Sequence, residues 1–383
     1  MKNKAAYVII GGGVSGCAIA WNLAKRGAKD IVVLDRGYLC SGSTGRCGAG
    51  VRMQWGTEMN CRLSKASIEF YEHANEILEY EGDVEFKQKG YLLIADTPRE
   101  MEQFQKNIQV QHAQGIPSKM VTCAEMKEIV PHLNTDILLG GAFCEKDGFL
   151  NPFKTTDAFY RAAKRLGVEF HTFTAVTDLV TDGNGRVTVV KTDKGDIQTE
   201  NVVIAAGGWS AKLCAMAGAD LPVYTERHQI LVTEPVEPMQ DPMVMAFALN
   251  LYVQQSPHGS FLMGRGDPNE PHGESMRSSW EFLEEMATTI QLVLPAVGRL
   301  RVVRQWAGLY AMSPDRQPIY GRAEGMENLY LAAGFSGHGF MFGPVTGIGM
   351  SELILGMTPT IDVSPLTTTR FAEGRLYQEP AVV

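Results

Sequence analysis

Two features of the sequence predict an α/β fold with an α+β second domain. Continuous apolar runs of the kind buried on both faces of a sheet lie near both ends of the chain and around residue 200. Longer alternating strands lie between them. Together they describe a Rossmann-type dinucleotide-binding domain interleaved with a second domain on a mixed, largely antiparallel sheet. The chain crosses between the two more than once. At roughly 150 residues per domain, 383 residues suffice for two to three domains.

The elements follow in order. Ala6–Ile10 is an apolar run, Gly11–Gly16 follows, and Cys17–Arg26 has helical character that Gly27 stops. Ile31–Leu34 is a second apolar run ending at Asp35, which completes a βαβ unit. Leu63–Glu81 reads as a helix, Gly90–Ala95 as a strand and Pro98–Gln114 as an exposed helix. Leu138–Phe143 is a further strand, and Asn151–Gly167 is a helix with Pro152 at its start. Val168–Val190 is strand-rich, broken by the turn Asp182-Gly183-Asn184-Gly185, and Val202–Ala206 is a short buried run. Gln229–Thr233 is a strand, and Leu251–Gln255 pairs with Ser260–Gly264 across Pro257-His258-Gly259. Ser278–Leu294 is an amphipathic helix. Leu329–Ala333 is a last buried run before a glycine-rich turn and the helix Pro344–Leu355.

Composition narrows the function classes. Lys and Arg total 35 against 43 Asp and Glu, a net charge of −8, which argues against a nucleic-acid binder. No stretch approaches the roughly 18 apolar residues of a membrane span, and the amino-terminal segment lacks the pattern of a signal peptide. The seven cysteines are odd in number and none has CxxC spacing. That argues against a disulfide framework and against a zinc or iron–sulfur site, and fits a reduced, cytoplasmic compartment. The 40 glycines cluster at 11–16, 42–50, 205–208 and 334–349, where backbone approaches something closely.

Gly11-Gly12-Gly13-Val14-Ser15-Gly16 matches G-x-G-x-x-G between a strand and a helix. Gly11 allows the tight turn, Gly13 the approach of a pyrophosphate, and Gly16 close packing of helix on strand. The helix start supplies unpaired N–H groups to the phosphates. Asp35 stands 19 residues after Gly16, where a carboxylate accepts ribose hydroxyls, which disfavours a 2′-phosphate.

Three further segments separate FAD from NAD: Ser43-Thr44-Gly45-Arg46-Cys47-Gly48-Ala49-Gly50-Val51-Arg52, Ala205-Ala206-Gly207-Gly208-Trp209-Ser210, and Ala332-Ala333-Gly334-Phe335-Ser336-Gly337-His338-Gly339-Phe340. With the amino-terminal motif they resemble the D-amino-acid-oxidase-like family of FAD enzymes over nearly the whole chain. That family includes sarcosine oxidase, glycine oxidase and the β subunits of heteromeric dehydrogenases. The Ser-Thr-x-Arg-Cys stretch looks most like β subunits of dye-linked L-proline dehydrogenase and heterotetrameric sarcosine oxidase.

The resemblance implies an FAD-binding domain from residues 1–85, 146–220 and 306–383, and a substrate-binding domain from 86–145 and 221–305. It places Gly11, Gly13, Val14, Ser15 and Gly16 on the pyrophosphate, and Asp35 with Arg36 on the adenosine side. Ser43, Thr44, Arg46, Cys47, Gly50 and Val51 would lie along the cofactor, and Val176 beside adenine. Ala206, Gly207 and Trp209 would follow it in mid-chain. Gly334, Gly337, His338, Gly339, Phe340 and Met341 would line the flavin ring. Arg52 is the candidate for a substrate carboxylate, which a planar guanidinium grips with two bonds; the alternative is a surface ion pair. His338 has the best motif support of the histidines, and His228 opens a strand towards the same region. Tyr310 and Tyr252 either shape the pocket or belong to the core.

Departures from the family matter too. Gly308 stands where monomeric sarcosine oxidases carry a flavin-tethering cysteine, so FAD is expected to be non-covalent. Leu262-Met263-Gly264 and Met341 lack the lysines of the oxidases, which favours a dehydrogenase. Asn151-Pro152-Phe153 lacks the histidine that attaches FMN in heterotetrameric enzymes. The function implied is FAD-dependent oxidation of an amino acid to the imine. The substrate expected is a secondary amine such as proline, sarcosine or another N-alkyl amino acid. The chain would be the β-type subunit of a hetero-oligomer whose electron-accepting partner carries FMN or an iron–sulfur centre. Two alternatives are a stand-alone oxidase producing hydrogen peroxide and a non-catalytic flavin-binding scaffold. No metal site, nucleic acid or membrane span is expected.

Overall fold

Two eight-stranded sheets organise the chain, which the computed structural model describes from residue 2 to 380. The first runs parallel in the order Leu329–Ala333, Gly195–Ile204, Lys4–Ile10, Ile31–Leu34 and Glu169–His171. Ile319–Arg322 joins it antiparallel at one edge, and Val176–Thr181 with Val187–Thr192 extends it from Gly195–Ile204. Val8, Val32, Val202 and Leu331 pack on one face, and Ile9, Val33, Val203 and Ala332 on the other. Burial of both faces is why these strands read as unbroken apolar runs. The helix Val14–Lys25 packs between Pro152–Arg165 and Gly343–Ile354. That approach is so close that a Cβ on Gly347 would meet the Ala18 carbonyl oxygen at 2.6 Å.

The second sheet runs Val302–Met312, Tyr224–Pro235, Ser260–Arg265, Leu251–Gln255, Met243–Ala246, Tyr91–Ala95, Gly140–Cys144 and Lys119–Val121. Its neighbours are antiparallel except Met243–Ala246 beside Tyr91–Ala95. The expected hairpin has Val253 opposite Met263. Phe282, Met286 and Ile290 of the helix Trp280–Val293 share a core with Leu231, Phe261 and Met263 on one face. The edge strand Val302–Met312 crosses the expected domain boundary at 305/306. Two of its edge carbonyls are taken by the loop 43–46: Ser43 Oγ donates to Leu309 O at 2.6 Å and Arg46 Nη1 to Ala307 O at 3.0 Å. This latch joins the two sheets.

Several elements depart from the sequence reading. The helix expected over Leu63–Glu81 begins at Glu58 and breaks at His73. Its early start depends on Glu379, whose carboxylate accepts from Gly56 N (2.7 Å), Thr57 Oγ1 (2.6 Å) and Asn60 Nδ2 (2.7 Å). A cap supplied from that far along the chain leaves no local signal. The helix Cys123–Ile129, with its Thr122/Glu125 capping box, and the strand Met243–Ala246 have no counterpart in the sequence reading.

The carboxyl-terminal segment is clipped to the fold by Asp315 and Arg370, both 0% exposed, with Nε–Oδ2 at 2.7 Å and Nη2–Oδ1 at 2.9 Å. Burial works against the ionised Asp315, yet the Arg370 guanidinium outweighs it and holds its pKa below the ordinary carboxylate value. Arg370→Met leaves that carboxylate buried without its cation. The expected loss of stability is about 3–5 kcal/mol, read by urea unfolding. A loss under about 1 kcal/mol, the size of a surface pair, would show that the clip carries little.

Candidate active site

The amino-terminal turn closes only with glycine. Gly11 has φ +117°, and a Cβ there would sit 2.3 Å from the Ala205 carbonyl oxygen; one on Gly16 would sit 1.9 Å from the Gly11 oxygen. The helix then starts at Gly13 with no capping side chain, so the first-turn N–H groups of Ser15 and Gly16 are available to an anion. Thr44 Oγ1 accepts from Val14 N at 3.3 Å, and Ser15 is buried in the first turn. The Asp35 carboxylate accepts from Gly12 N at 2.7 Å and Gly37 N at 2.8 Å, which fixes it beside the turn. An uncapped helix start and a carboxylate held next to it fit the pyrophosphate and ribose of FAD.

The neighbouring predicted residues gather around this cradle. The Arg36 guanidinium stacks 3.8 Å over the Trp209 ring. Ala206 and Gly207 form the turn that leads to Trp209. Val176 and Ala206 pack on the same sheet face, and Thr174 N donates to Asp35 O at 2.8 Å, which brings that strand alongside the acid. Arg46 Nε also donates to Ser41 O, and Trp306 Nε1 donates to Arg46 O. A Cβ on Gly308 would come within 3.2 Å of Arg46 Cβ, so the position where the oxidases tether flavin has little room for a side chain.

A cavity of about 200 Å³ opens at the far end of the cradle. Of the predicted residues, Cys47, Gly50, Arg52, Tyr252, Tyr310, Gly337, His338, Phe340 and Met341 line it. Val51, Gly334 and Gly339 do not: Val51 lies in the core, Gly334 turns the chain against Ser313 and Ile319, and Gly339 packs on Phe335. Arg52 is 2% exposed and has no ion pair among the described residues, so it is not a surface salt bridge. Its Nη1 donates to Gln54 O, and its guanidinium stacks 3.9 Å over Trp55. The His338 ring meets the same indole edge-on at 4.6 Å. Burial lowers the Arg52 pKa, but a guanidinium stays charged in proteins. A buried charge without a counter-ion is costly, so the arrangement can accept an anion.

The remaining electrostatics keep that charge dominant. Burial pushes His228 down to about 4 and, with help from Arg52, His338 down to about 3, so both rings are neutral at pH 7. The lining carries no lysine and no carboxylate among the described residues. Arg265 also lines the cavity, but Glu285 (3.4 Å) and Thr289 Oγ1 (2.9 Å) engage it.

Sequence reasoning missed the supports. Asp147 lies in the turn before Gly148–Phe149, fully buried, and accepts from Met53 N at 2.7 Å and Gln54 Nε2 at 2.9 Å. Its only local signal is an acid in an Asp-Gly turn. Tyr91, Met243 and Phe247 also line the cavity without any motif.

Burial raises the Asp147 pKa to about 7. Its folded-state value lies above its unfolded one, so stability is full below the ordinary carboxylate range and falls as pH rises through about 7. The melting temperature of the native chain is expected to drop from about pH 4 to about pH 7 and to level off above. Asp147→Asn sets an amide donor against Met53 N or Gln54 Nε2, so it is less stable at low pH but flat across that window. Parallel curves for the two would remove Asp147 as the titrating group.

Comparisons with known proteins agree with this geometry. The DAO family, described as FAD dependent oxidoreductase, matches residues 6–353. Sarcosine oxidase subunit beta of Rhodobacter capsulatus is 29% identical, over 99% of this chain and 91% of that one; the protein of the same name from an Arthrobacter species is 30% identical, over 99% and 94%. The crystal structure of L-proline dehydrogenase from P. horikoshii superimposes with a TM-score of 0.93 at 36% identity, covering 98% of this chain and all of that one. Glycine oxidase from Geobacillus kaustophilus follows with 0.88 at 25% identity, over 96% and 99%. With that family's model matched from residue 6 to residue 353, the chain that builds this cradle and cavity belongs to the DAO family of FAD-dependent oxidoreductases.

Proposed function

We propose that the chain oxidises a secondary amino acid at its Cα–N bond to the imine, as the catalytic subunit of a hetero-oligomeric dehydrogenase. The observation that carries this reading is Arg52, a buried guanidinium facing a cavity with no carboxylate to pair with it. A substrate carboxylate is the natural occupant, and a bidentate grip fixes the α-carbon in the apolar space between Tyr310, Tyr252 and the Gly337–His338 turn. FAD, when bound, accepts the α-hydrogen with its electron pair. The chain supplies orientation, an apolar wall that excludes water, and N–H groups of the 337–341 turn ahead of the helix Gly343–Ile354. The amine reacts neutral, so its proton passes to solvent, and the released imine hydrolyses in water.

Several residues support the finer parts of the reading. The lysine-free lining supports a dehydrogenase over an oxidase, because the oxidases this chain resembles use lysines to activate dioxygen. Gly308 supports non-covalent FAD. The two relatives named as β subunits support a partner chain that takes the electrons on FMN or an iron–sulfur centre. Asn151-Pro152-Phe153 offers no histidine to hold that FMN covalently. No helix among the described residues is long and apolar enough to cross a membrane. All seven cysteines are free thiols, which supports a cytoplasmic setting.

Anaerobic titration of the purified flavoprotein with proline, sarcosine and glycine tests the reading. One secondary amino acid is expected to bleach the visible flavin band, with slow recovery in air. Rapid recovery in air would turn the assignment to the stand-alone oxidase. Arg52→Ala is expected to raise KM on the order of 10²-fold or more while FAD stays bound. Unchanged steady-state kinetics would take Arg52 out of the site.

A further inference from the structure

The cavity has to receive more than a carboxylate, because an amino acid also brings a nitrogen. Few groups on the wall can accept an N–H. No carboxylate lines it, and Arg52 and Arg265 only donate. Asn250 is spent on Gly266, donating to its carbonyl and accepting from its N–H at 3.2 Å. Ser336 Oγ is spent on Gly334 O and Ser313 N. His338 sits edge-on to Trp55. Besides backbone carbonyls and the neutral His338 ring, the tyrosine hydroxyls remain, and one of them is set apart by its partner.

That partner is His228. Its imidazole lies parallel to the ring of Tyr310, with centroids 4.3 Å apart and 6° between planes, and to that of Tyr252, at 5.7 Å and 8°. His228 Nε2 lies 3.2 Å from Tyr252 Oη, which has no other hydrogen-bond partner among the described residues. A protonated imidazole would donate to Tyr252 and turn the phenol hydrogen towards the cavity. A neutral one protonated at Nδ1 accepts the phenol hydrogen at Nε2 instead, which leaves both lone pairs of Tyr252 Oη free to accept. Burial keeps this ring neutral across the working range.

We propose that His228, by accepting the Tyr252 hydroxyl hydrogen, makes Tyr252 an acceptor for the substrate N–H and so selects amino acids whose neutral nitrogen bears hydrogen over their N,N-dialkyl counterparts. His228 is a positioning residue that acts through Tyr252. This inference rests on the amino-acid reading and names the amine class that site accepts. A site built to hydrogen-bond an N–H discriminates strongly against an analogue that lacks it, because the buried acceptor is left unpaired.

The test uses the holoenzyme and two substrate pairs, sarcosine with N,N-dimethylglycine and L-proline with N-methyl-L-proline. For whichever pair reduces the flavin, the native chain is expected to favour the secondary amine in kcat/KM on the order of 10²-fold or more. His228→Phe keeps the stack and removes the acceptor. It is expected to cut kcat/KM for the secondary amine at least about 10-fold, mainly through KM, with a far smaller loss for the tertiary amine. His228→Gln, which restores an acceptor, recovers part of the preference. Tyr252→Phe collapses the ratio as His228→Phe does, and carries the test if His228→Phe does not fold. Acetate, a probe for the Arg52 end alone, is expected to perturb the flavin spectrum with the same Kd in the native chain and both variants. Equal use of the two amines by the native chain, or a ratio untouched in both variants, would overturn the proposal. If no member of either pair bleaches the flavin, it is the amino-acid reading that has failed.

Discussion

A guanidinium that is 2% exposed and lacks an ion pair must be held in place by everything around it. Arg52 sits on the segment 52–57, and each part of that segment is tied down from a distant part of the chain. Asp147 takes the backbone of Met53 and the side chain of Gln54. Trp55 is fully buried, donates its indole N–H to Arg52 O, and its own carbonyl accepts from Gln111 Nε2 at 2.8 Å. Glu379 takes Gly56 and Thr57. Two carboxylates therefore support the segment without neutralising the cation directly. This arrangement keeps the charge available to a ligand while satisfying the polar backbone beside it.

The same constraint explains how the two sheets meet. A cofactor that spans from the Gly11–Gly16 turn to the cavity needs a continuous wall, and that wall is assembled from both sheets. The loop 43–46 closes the edge of the strand Val302–Met312 through Ser43 and Arg46. Gln254 Nε2 reaches across to Gly48 O at 2.9 Å from the other side. The edge strand is thus covered along its Ala307–Leu309 stretch by that loop, which also protects it from foreign strands. The exposed residues Val302 and Val303 mark where that cover ends.

The sequence showed the cofactor half of this plan better than the substrate half, and the reason is physical. Gly11, Gly13, Gly16 and Asp35 lie within one βαβ unit, so strand, turn, helix and acid report on each other at short range. The parallel strands are buried on both faces and stand out as apolar runs. The Leu251–Gln255 and Ser260–Arg265 hairpin was legible for the same local reason. The supports of Arg52 were not, because Asp147 and Glu379 meet the segment only after the chain has returned to it. His228 was visible only as a histidine opening a strand, whereas its role comes from two rings on other strands.

The cavity itself is written as pairs of residues far apart in the chain. A Cβ on Gly50 would strike Tyr91 Oη at 1.7 Å, one on Gly264 would strike Tyr252 Oη at 2.1 Å, and one on Gly337 would meet Tyr310 Cε2 at 2.7 Å. Three tyrosines thus occupy space that three glycines leave open. None of these glycines is explained by the dinucleotide motif, and Gly50 and Gly264 have unremarkable backbone angles, so conformational freedom is not what requires glycine there. What requires it is the ring that lies against each backbone. A side chain added at any of these glycines displaces the ring against it, so the shape of the pocket, and with it the choice of amine, rests on glycine–tyrosine pairs that the cofactor turn does not share.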